Sequence, residues 1–454
     1  MENKQAEELF REAAIPKAVL QNAVPAMLAM LMVLIYNLAD TFFIGQTHDA
    51  LQVAAVSLAT PVFLIFMSIG SIFGIGGTSV ISRAIGAGQQ DYAKKVCSFC
   101  MWGSVMAGIL LAALFLIFMD NILAWIGVSP DTCQFAKNYL VIVSFCGPFA
   151  TVSNCYSNVI RAEGKAGQAM IGQVLGNLLN IVLDWILILG FHWNVAGAAV
   201  ATVIGNIVAA CYYIQYFLRG NSSLSIRLKD FTCKENVFWN VFAIGFPASL
   251  GSLLMSLSQI IMNSLIADYG DMALAGIGVA MKVTMMTGMV CIGFGQGVQP
   301  LLGYCVGAKL WERFKNVMSF SLFFSLGLSI SMTGLCYMLA IQIVQVFLTE
   351  PKALQYAVQF VHILLTTSFL FGIFYVLSNA LQAMGAAMEA LLINLSRQGL
   401  IYIPALFLMN TVIGLDGLIW AQPVADLIST GMVAILYLKT MQRIRNKTET
   451  ILIA

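Results

Sequence analysis

The residues best suited to chemistry are polar side chains inside apolar stretches long enough to cross a membrane as helices. Asp40 follows Tyr36 and Asn37 in one such stretch, and Asp184 follows Asn180 by four residues in another. A spacing of four places Asn180 and Asp184 on one face of a helix. Because ionisable groups are costly inside a membrane, they mark functional sites.

These groups are predicted to meet at one depth. At a rise of about 1.5 Å per residue, Asp40, Asp184 and Thr202 lie roughly 5–10 Å below the same membrane surface. Tyr36 lies one turn from Asp40 on the same face, and Tyr139 enters from the same surface, so phenol donors are available. Two carboxylates with amide and hydroxyl oxygens suit two tasks.

The first task is to hold a hard cation such as Na⁺ with oxygen ligands. The second is to share a proton, because two carboxylates in a low-dielectric setting do not both stay charged. Either property makes the set a coupling site. The structural alternative is that Asp40 and Asp184 each form an ordinary helix-to-helix hydrogen bond when protonated.

The composition requires a membrane environment for these groups. Of 454 residues, 60% are hydrophobic and 10% are charged, which leaves too little polar surface for a soluble domain. We predict an all-α integral membrane protein with twelve transmembrane helices. The predicted spans are 18–44, 52–80, 95–118, 135–159, 168–191, 195–217, 241–266, 273–300, 317–340, 358–381, 389–411 and 417–438.

The two halves of the chain repeat one another at a displacement of about 221 residues. The shift places Pro25 on Pro247, Gly86-Ala87 on Gly307-Ala308, and Gly197 on Gly417, which indicates a duplicated architecture. Six spans per copy is an even number, so the copies enter the membrane from the same side as parallel repeats.

The copies differ in chemistry. Under the same shift, neutral residues occupy the positions of the first-copy acids, and a longer polar side chain replaces the threonine. The pairs are Asp40 with Met262, Asp184 with Ala405, and Thr202 with Gln422.

The basic residues give the orientation. Arg83, Lys94, Arg161 and most other Lys and Arg residues outside the spans fall on one side, with Lys137 and Lys352 on the other. By the positive-inside rule both termini are cytoplasmic. The charged segment 219–235 is predicted to link a first lobe, 1–218, to a second lobe with its cytoplasmic tail, 236–454.

Several function classes lack their signatures. The ten cysteines and three histidines are scattered without metal-ligand spacing, and no phosphate-binding Gly-rich loop with its Lys is present. No nucleophile and base are paired at one depth, so an enzyme is not predicted. The net charge of +2 reflects topology and does not indicate a nucleic-acid partner, and no cofactor is expected.

Together, the twelve-helix duplication, Asn37-x-x-Asp40, Asn180-x-x-x-Asp184 and Thr202 resemble the multidrug and toxic compound extrusion (MATE) transporters of prokaryotes. The resemblance covers about residues 12–440. It implies two six-helix bundles in a V shape around a central cavity. It also implies export of organic, often cationic compounds in exchange for Na⁺ or H⁺. Lipid-precursor flippases belong to the same superfamily.

The resemblance also implies roles for individual residues. In the branch that this chain resembles, acids of the first lobe form the cation or proton site. Another branch uses acids in the seventh and tenth helices, where this chain has Gln259, Met262, His362 and Asn379 instead. The site carried over consists of Asp40, Asn180, Asp184 and Thr202, which would also be the Na⁺ ligands, with Tyr36, Tyr139 and Asn37 in support.

Further intramembrane residues have predicted roles. Flexible thioethers suit a cavity that accepts varied apolar cargo, and Lys282 either contacts carbonyls or faces the cavity. Arg397 and Asp426 are close in depth and favour a structural ion pair. Pro25 and Pro247 permit helix bending. The predicted cavity residues are Asn154, Gln259, Met255, Met262, Met285, Met289 and Lys282.

We therefore expect a monomeric antiporter of the prokaryotic inner membrane that contacts lipids and exports small amphipathic, mainly cationic compounds for H⁺ or Na⁺. The alternative is a lipid-linked precursor flippase. Such a flippase is expected to line its cavity with several basic residues for a pyrophosphate, and Lys282 and Arg397 are the only ones available for that.

Overall fold

The protein is described by a computed structural model that covers residues 8–46, 50–126, 130–220, 222–348 and 350–453. In this part of the chain the regular structure is entirely helical. Eleven helices are long and apolar enough to cross a membrane, and one bent helix pair adds a twelfth span. The predicted all-α fold with twelve spans is confirmed.

Spans 1 to 6 form the first lobe, and spans 7 to 12 form the second. Spans 3 and 9 are each followed by a short helix, Met119–Ile126 and Ala340–Phe347, which are again 221 residues apart. In order, the spans are Ile15–Gly45, Ala50–Gly86, Gln90–Ile117, Pro130–Ala162, Ala166–Gly190, Asn194–Leu218, Val237–Ala267, Asp271–Gly307, Trp311–Met338, Pro351–Ala383, Ala387–Ile413 and Leu415–Ile453.

Three spans depart from a regular α-helix. Span 10 is broken between Leu365 and Ser368 and bends there by 42°, where one uninterrupted span, 358–381, was predicted. Span 5 changes from α to π geometry at Trp185, and span 11 does so at Ser396. Tight turns follow spans 4 and 10, where Gly164 and Gly385 have φ values of 78° and 73° that favour glycine.

The hydrophobic packing explains the V shape. One core cluster contains residues of both lobes, including Ile81 of span 2 and Leu301 of span 8. It lies toward the side where span 1 begins and spans 2 and 8 end, which we call the terminal side. Toward the opposite side each lobe has its own cluster, around Phe66 and around Phe360. The lobes are therefore joined on the terminal side and separate on the other.

Glycines bring the lobes together where spans 2 and 8 cross. A Cβ atom added at Gly86 would lie 2.2 Å from the Tyr304 carbonyl oxygen, and one at Gly307 would lie 2.0 Å from that of Arg83. Because Arg83 and Tyr304 are themselves 221 residues apart, the contact has approximate twofold symmetry. Only glycine permits this approach, since a side chain would overlap the facing backbone.

The N-terminal segment adds a second contact across this interface. Arg313 of the second lobe donates hydrogen bonds to the carbonyl oxygens of Phe10, at 2.7 Å, and Ala13, at 2.6 Å. The buried Phe10 ring packs against Tyr304 of the second lobe and against Gly164 of the first. The terminal side is thus closed by backbone packing and by a side chain between the lobes.

The segment between spans 6 and 7 is held against the first lobe. Tyr216 and Ser222 donate hydrogen bonds of 2.8 Å to the two carboxylate oxygens of the buried Glu163. Ser98 and Trp102 of span 3 donate to the carbonyl oxygens of Arg227 and Ile226. The segment therefore follows the surface of span 3 closely.

Glu163 lies outside the spans and makes stability depend on pH. Burial raises its pKa from 4.5 to about 7, against the opposing hydrogen bonds from Ser222 and Tyr216. The folded protein therefore holds the proton more tightly than the unfolded chain, and stability falls as pH rises from about 4.5 to about 7.

We expect Glu163→Gln to remove this dependence and to stabilise the protein at pH 8 by about 3 kcal/mol. The measurement is thermal unfolding of the purified parent and variant in detergent from pH 4.5 to pH 8. A stability difference that is the same at every pH would contradict the prediction.

Candidate functional site

A cavity of about 330 Å³ lies in the first lobe. Its wall is formed mainly by spans 1, 2, 4, 5 and 6, whereas Ser252 and Met289 are its contributions from the second lobe. The lining side chains are a mixture of amides, hydroxyls, thioethers and one phenol. They are Met30, Val33, Tyr36, Phe63, Met67, Ser153, Asn154, Ser157, Gln173, Asn177, Asn180, Thr202, Asn206, Ala209, Ser252 and Met289, with Gly176 and Gly205.

Small residues bring spans 5 and 6 together beside this cavity. A Cβ atom at Gly176 would lie 2.7 Å from the Gly205 carbonyl oxygen, and the reverse distance is also 2.7 Å. One turn further along span 5 this close approach brings Asn180 to Thr202. The glycine pair therefore positions the polar site.

Asn180 connects Asp184 to Thr202 by hydrogen bonds. Its amide nitrogen donates to Asp184 Oδ2 at 3.0 Å, and its oxygen accepts from the Thr202 backbone N–H at 3.0 Å and hydroxyl at 3.3 Å. This amide orientation follows from the network, since the opposite one sets the amide nitrogen against the Thr202 N–H. The three residues form one unit across two spans.

Asp184 has one oxygen without a partner. Its side chain is fully buried, and Oδ1 accepts no hydrogen bond within the described part of the chain. The residue also ends the α-helical part of span 5, just before the π segment that starts at Trp185, and such segments are frequent at functional sites. A buried carboxylate oxygen of this kind requires a proton or a cation.

The remaining predicted groups approach from spans 1 and 4. Asp40 is half-buried and close enough to Asp184 for their charges to interact. Tyr36 interacts with both carboxyl groups and with the Thr202 hydroxyl, and Tyr139 interacts with both carboxyl groups. The structure therefore brings these five side chains and Asn180 into one neighbourhood.

Asn37 was predicted to support the site, and that role stays a prediction. Its side chain is exposed, and its carbonyl oxygen accepts a hydrogen bond from Thr41 at 2.8 Å. Successive residues of a helix are rotated by about 100°, so the rotation that turns Tyr36 toward the site turns Asn37 away.

The neighbourhood offers two carboxyl groups, one amide oxygen and several hydroxyls. In the described residues no group of three or more His, Cys, Asp and Glu side chains is placed to hold a metal ion. Two carboxylates with neutral oxygens fit Na⁺, which prefers oxygen ligands. The same pair fits one shared proton, because the buried Oδ1 of Asp184 would otherwise carry uncompensated charge.

Some of the predicted cavity residues line the first-lobe cavity, and others lie elsewhere. Asn154 and Met289 line the cavity, and Asn154 donates to the Ser71 hydroxyl at 3.0 Å. Met262 is a correction, since it is 1% exposed and packs in the separate core of the second lobe around Phe360.

The other second-lobe candidates also lie away from this cavity. Met255, Gln259 and Met285 are exposed, and Gln259 Nε2 lies 3.8 Å from the Met281 sulfur. Lys282 Nζ lies 5.6 Å from the centre of the Phe347 ring. None of the four belongs to the wall of the first-lobe cavity.

Pro25 and Pro247 lie inside continuous helices, in spans 1 and 7. Because proline has no N–H, the carbonyl oxygens of Gln21 and Ala243 lose their usual partners four residues on. Both helices nevertheless run through the prolines without an interruption. Bending at these residues therefore stays a prediction.

Arg397 and Asp426 form a buried ion pair in the second lobe. Arg397 Nε lies 2.9 Å from Asp426 Oδ1, and its Nη1 donates to the Tyr375 hydroxyl at 2.7 Å. Gln422 donates to the same carboxylate oxygen at 3.0 Å. The guanidinium also lies 4.6 Å from the centre of the Phe374 ring, a cation–π contact.

We expect Arg397→Met alone to destabilise the protein by about 3–5 kcal/mol, because it leaves the Asp426 carboxylate buried without its cation. The double variant Arg397→Met/Asp426→Leu should lie within about 1 kcal/mol of the parent, since packed apolar residues replace such a pair well. Thermal unfolding in detergent measures both. A double variant no more stable than the single one would contradict a structural role.

Sequence reasoning missed much of the cavity wall, although a signal was present. Gln173, Asn177, Asn180 and Asp184 follow one another at spacings of four, three and four, which is the repeat of a single helical face. Asn206 lies one turn beyond Thr202 in span 6. A search for polar residues at these spacings would have found three more wall residues.

A helical membrane fold with two joined lobes, a one-sided opening and a polar site beside a cavity defines a transporter. The MatE family model matches the chain twice, over residues 25–186 and 247–408. The chain therefore belongs to the MATE family, and the matches coincide with its two repeats.

Individual relatives agree with this assignment. The chain is similar to the multidrug export protein MepA of Staphylococcus aureus strain MSSA476, with 32% identity over 422 residues, 92% of each chain. It shares its fold with a MATE crystal structure in complex with MaL6, at a TM-score of 0.93 and 22% identity, over 97% of this chain and 99% of that one. An outward-facing multidrug resistance MATE transporter matches at 0.92, with the same identity and coverage.

Proposed function

We propose that this protein is an ion-coupled antiporter that exports small amphipathic organic compounds in exchange for H⁺ or Na⁺. One observation carries the proposal. Tyr36, Asn180 and Thr202 line the first-lobe cavity, and Asn180 joins Thr202 to Asp184 by hydrogen bonds while Tyr36 lies close enough to Asp40 and Asp184 for their charges to interact. Cargo in the cavity and an ion at the carboxylates therefore share side chains.

This sharing gives a physical route for coupling. An ion or proton at Asp184 changes the charge that Asn180 and Tyr36 face, and these side chains form part of the cargo surface. Each ligand then alters the affinity for the other by the same factor. One charge moving down a potential of 100 mV supplies about 2.3 kcal/mol, enough to support a modest gradient of cargo.

The orientation follows from the basic residues at the ends of the spans. With both termini in the cytoplasm, the closed terminal side faces inward and the cavity communicates with the outside. The chain would then be a multi-pass protein of the prokaryotic inner membrane that acts as a monomer in contact with lipids. Transport requires the contacts of Gly86, Gly307 and Phe10 to open.

The relatives named as multidrug exporters favour drug-like cargo over a lipid-linked precursor. The positions of the basic residues agree, because the guanidinium of Arg397 is engaged by Asp426 and Lys282 lies over Phe347. Neither lines the first-lobe cavity. A flippase site for a pyrophosphate would need such cations in its wall.

The direct test is ethidium accumulation in energised cells that lack their own exporters. Cells that express the protein should accumulate less dye than cells with an empty vector, and dissipating the ion gradients should remove the difference. Equal accumulation with the protein present in the membrane would refute the proposal.

We also expect a preference for flat lipophilic cations over anions of similar size. Carboxyl groups beside the cavity attract positive charge, and the thioethers of Met30, Met67 and Met289 accept aromatic rings. Uptake of a matched cationic and anionic dye pair into inverted vesicles measures this. Equal or faster uptake of the anion would contradict the expected selectivity.

A further inference from the structure

The internal repeat gives each wall residue of the first-lobe cavity a counterpart in the second lobe. Spans 4 and 5 map onto spans 10 and 11 at a displacement of 221, and span 6 maps onto span 12 at 220, as Gly197 and Gly417 show. Three short or absent side chains of the wall become long ones, and one amide becomes a carboxylate of the same size. Ser153 corresponds to Phe374, Asn154 to Tyr375, Gly176 to Arg397 and Asn206 to Asp426.

These four counterparts form one cluster in space. Arg397 is bonded to Asp426 at 2.9 Å and to the Tyr375 hydroxyl at 2.7 Å. Its guanidinium lies 4.6 Å from the Phe374 ring and 5.2 Å from the Tyr375 ring. Arg397 is 9% exposed and Asp426 is 2% exposed. Positions that surround open space in the first lobe therefore pack against each other in the second.

We propose that Phe374, Tyr375, Arg397 and Asp426 are a resident plug that fills the second lobe's copy of the cargo cavity. The plug determines cargo specificity, because it limits binding to one molecule per chain and excludes cargo long enough to extend from the first-lobe cavity into the second lobe's copy of it. This inference rests on the proposed function, since it takes the first-lobe cavity as the cargo site.

The chemistry of the plug favours a second lobe that holds no mobile cation at Asp426. The carboxylate of Asp426 already holds a guanidinium that is part of the chain, and the guanidinium is satisfied by the carboxylate, a phenol and aromatic faces. The pair is neutral as a whole and offers little charge to cargo. Asp184 Oδ1 and Asp426 Oδ2 are both left unbonded among the described residues, but of these two carboxylates Asp426 is the one with a basic side chain at salt-bridge distance in that part of the chain.

The test exchanges plug residues for their first-lobe counterparts. The opened variant Phe374→Ser/Tyr375→Asn/Arg397→Gly/Asp426→Asn removes the plug and leaves no unpaired charge. The matched control Arg397→Met/Asp426→Leu removes the charges and keeps the volume. Purified proteins are titrated with ethidium, and the number of bound molecules per chain is measured.

We expect one ethidium per chain in the parent and in the control, and two in the opened variant. A folded opened variant that still binds one ethidium would overturn the plug. Parent protein that binds none would instead count against the proposed function, so the two failures are distinguishable.

A milder variant covers the case in which the opened variant does not fold. Phe374→Ser/Tyr375→Asn removes two rings and keeps the ion pair. Its readout is Cys291, which is 1% exposed and close enough to Arg397 for their charges to interact. The background replaces Cys133, Cys211 and Cys233, the cysteines of the described residues that are at least partly exposed.

A small methanethiosulfonate reagent is applied, and modification of the Cys291 peptide is read by mass spectrometry. We expect no modification in the parent background and at least a tenfold faster reaction in the ring-deleted variant. Equal protection of Cys291 in both proteins would overturn the proposal.

Discussion

Asp184→Asn is expected to reduce ion-driven efflux to the level of vesicles without protein, while the variant folds normally. Asparagine keeps the size of the side chain and still accepts the hydrogen bond from Asn180. It cannot bind and release a proton, and it lacks the charge that holds Na⁺ among neutral oxygens. The coupling ion then has no difference in affinity between two states, so its gradient does no work. Asp40→Asn should likewise lose ion-driven efflux and fold normally.

Uptake of ethidium into energised inverted vesicles, which corresponds to efflux from the cell, measures the effect, with Asp271→Asn as the matched control. Asp271 is exposed at the start of span 8, so its replacement should leave transport unchanged. Binding of ethidium should survive in Asp184→Asn, since the cavity wall is intact. Gradient-driven efflux at the parent rate would restore an ordinary structural role for the aspartate.

Gly307→Leu is also expected to remove most of the efflux activity. It acts by preventing a conformational change and leaves the coupling site itself intact. The closed terminal side leaves no room for a side chain here, because a Cβ atom would lie 2.0 Å from the Arg83 carbonyl oxygen. The variant should therefore stay open on the terminal side and lose most of its efflux. Cargo could still enter from that side, but the cycle would not return through the closed state.

Two measurements check this. Efflux should fall to about one tenth of the parent rate or less, because closing the terminal side would cost at least about 1.4 kcal/mol more than in the parent. The buried Cys305 should become reactive toward thiol reagents. Gly327→Leu is the matched control, because nothing lies within 4 Å of a Cβ atom there. Normal efflux by Gly307→Leu with Cys305 still protected would mean that the interface tolerates the side chain.

The sequence predicted the spans well because hydrophobic length alone defines them. It did not predict the break in span 10, because Thr366, Thr367 and Ser368 are uncharged and are flanked by apolar residues. The break has a local cause that hydropathy does not measure. Thr366 and Ser368 donate to the carbonyl oxygens of Ile363 and Leu364, at 2.6 and 3.0 Å, and such bonds compete with the helical pattern.

Site residues could be predicted from the sequence where they are charged. They could not be predicted where the rotation of a helix determines which way a neutral side chain points. Asp40 and Asp184 stand out because charge is rare inside spans. Met262 was predicted to line the cargo cavity and lies instead in the core of the second lobe, because a span that is apolar all round has no strong periodicity to fix its rotation. The role of Arg397 needed the repeat and the contacts together, since neither shows a filled cavity alone.

In this account, an ion at the first-lobe carboxylates drives cargo export. Ion-driven export is tested most directly in proteoliposomes with the purified protein, in which a pH gradient and a Na⁺ gradient are imposed separately and ethidium movement is followed. We predict that at least one of these gradients moves ethidium against its own concentration gradient, and that Asp184→Asn removes this movement. Ethidium that only ever runs down its own gradient, whichever ion gradient is imposed, would contradict it.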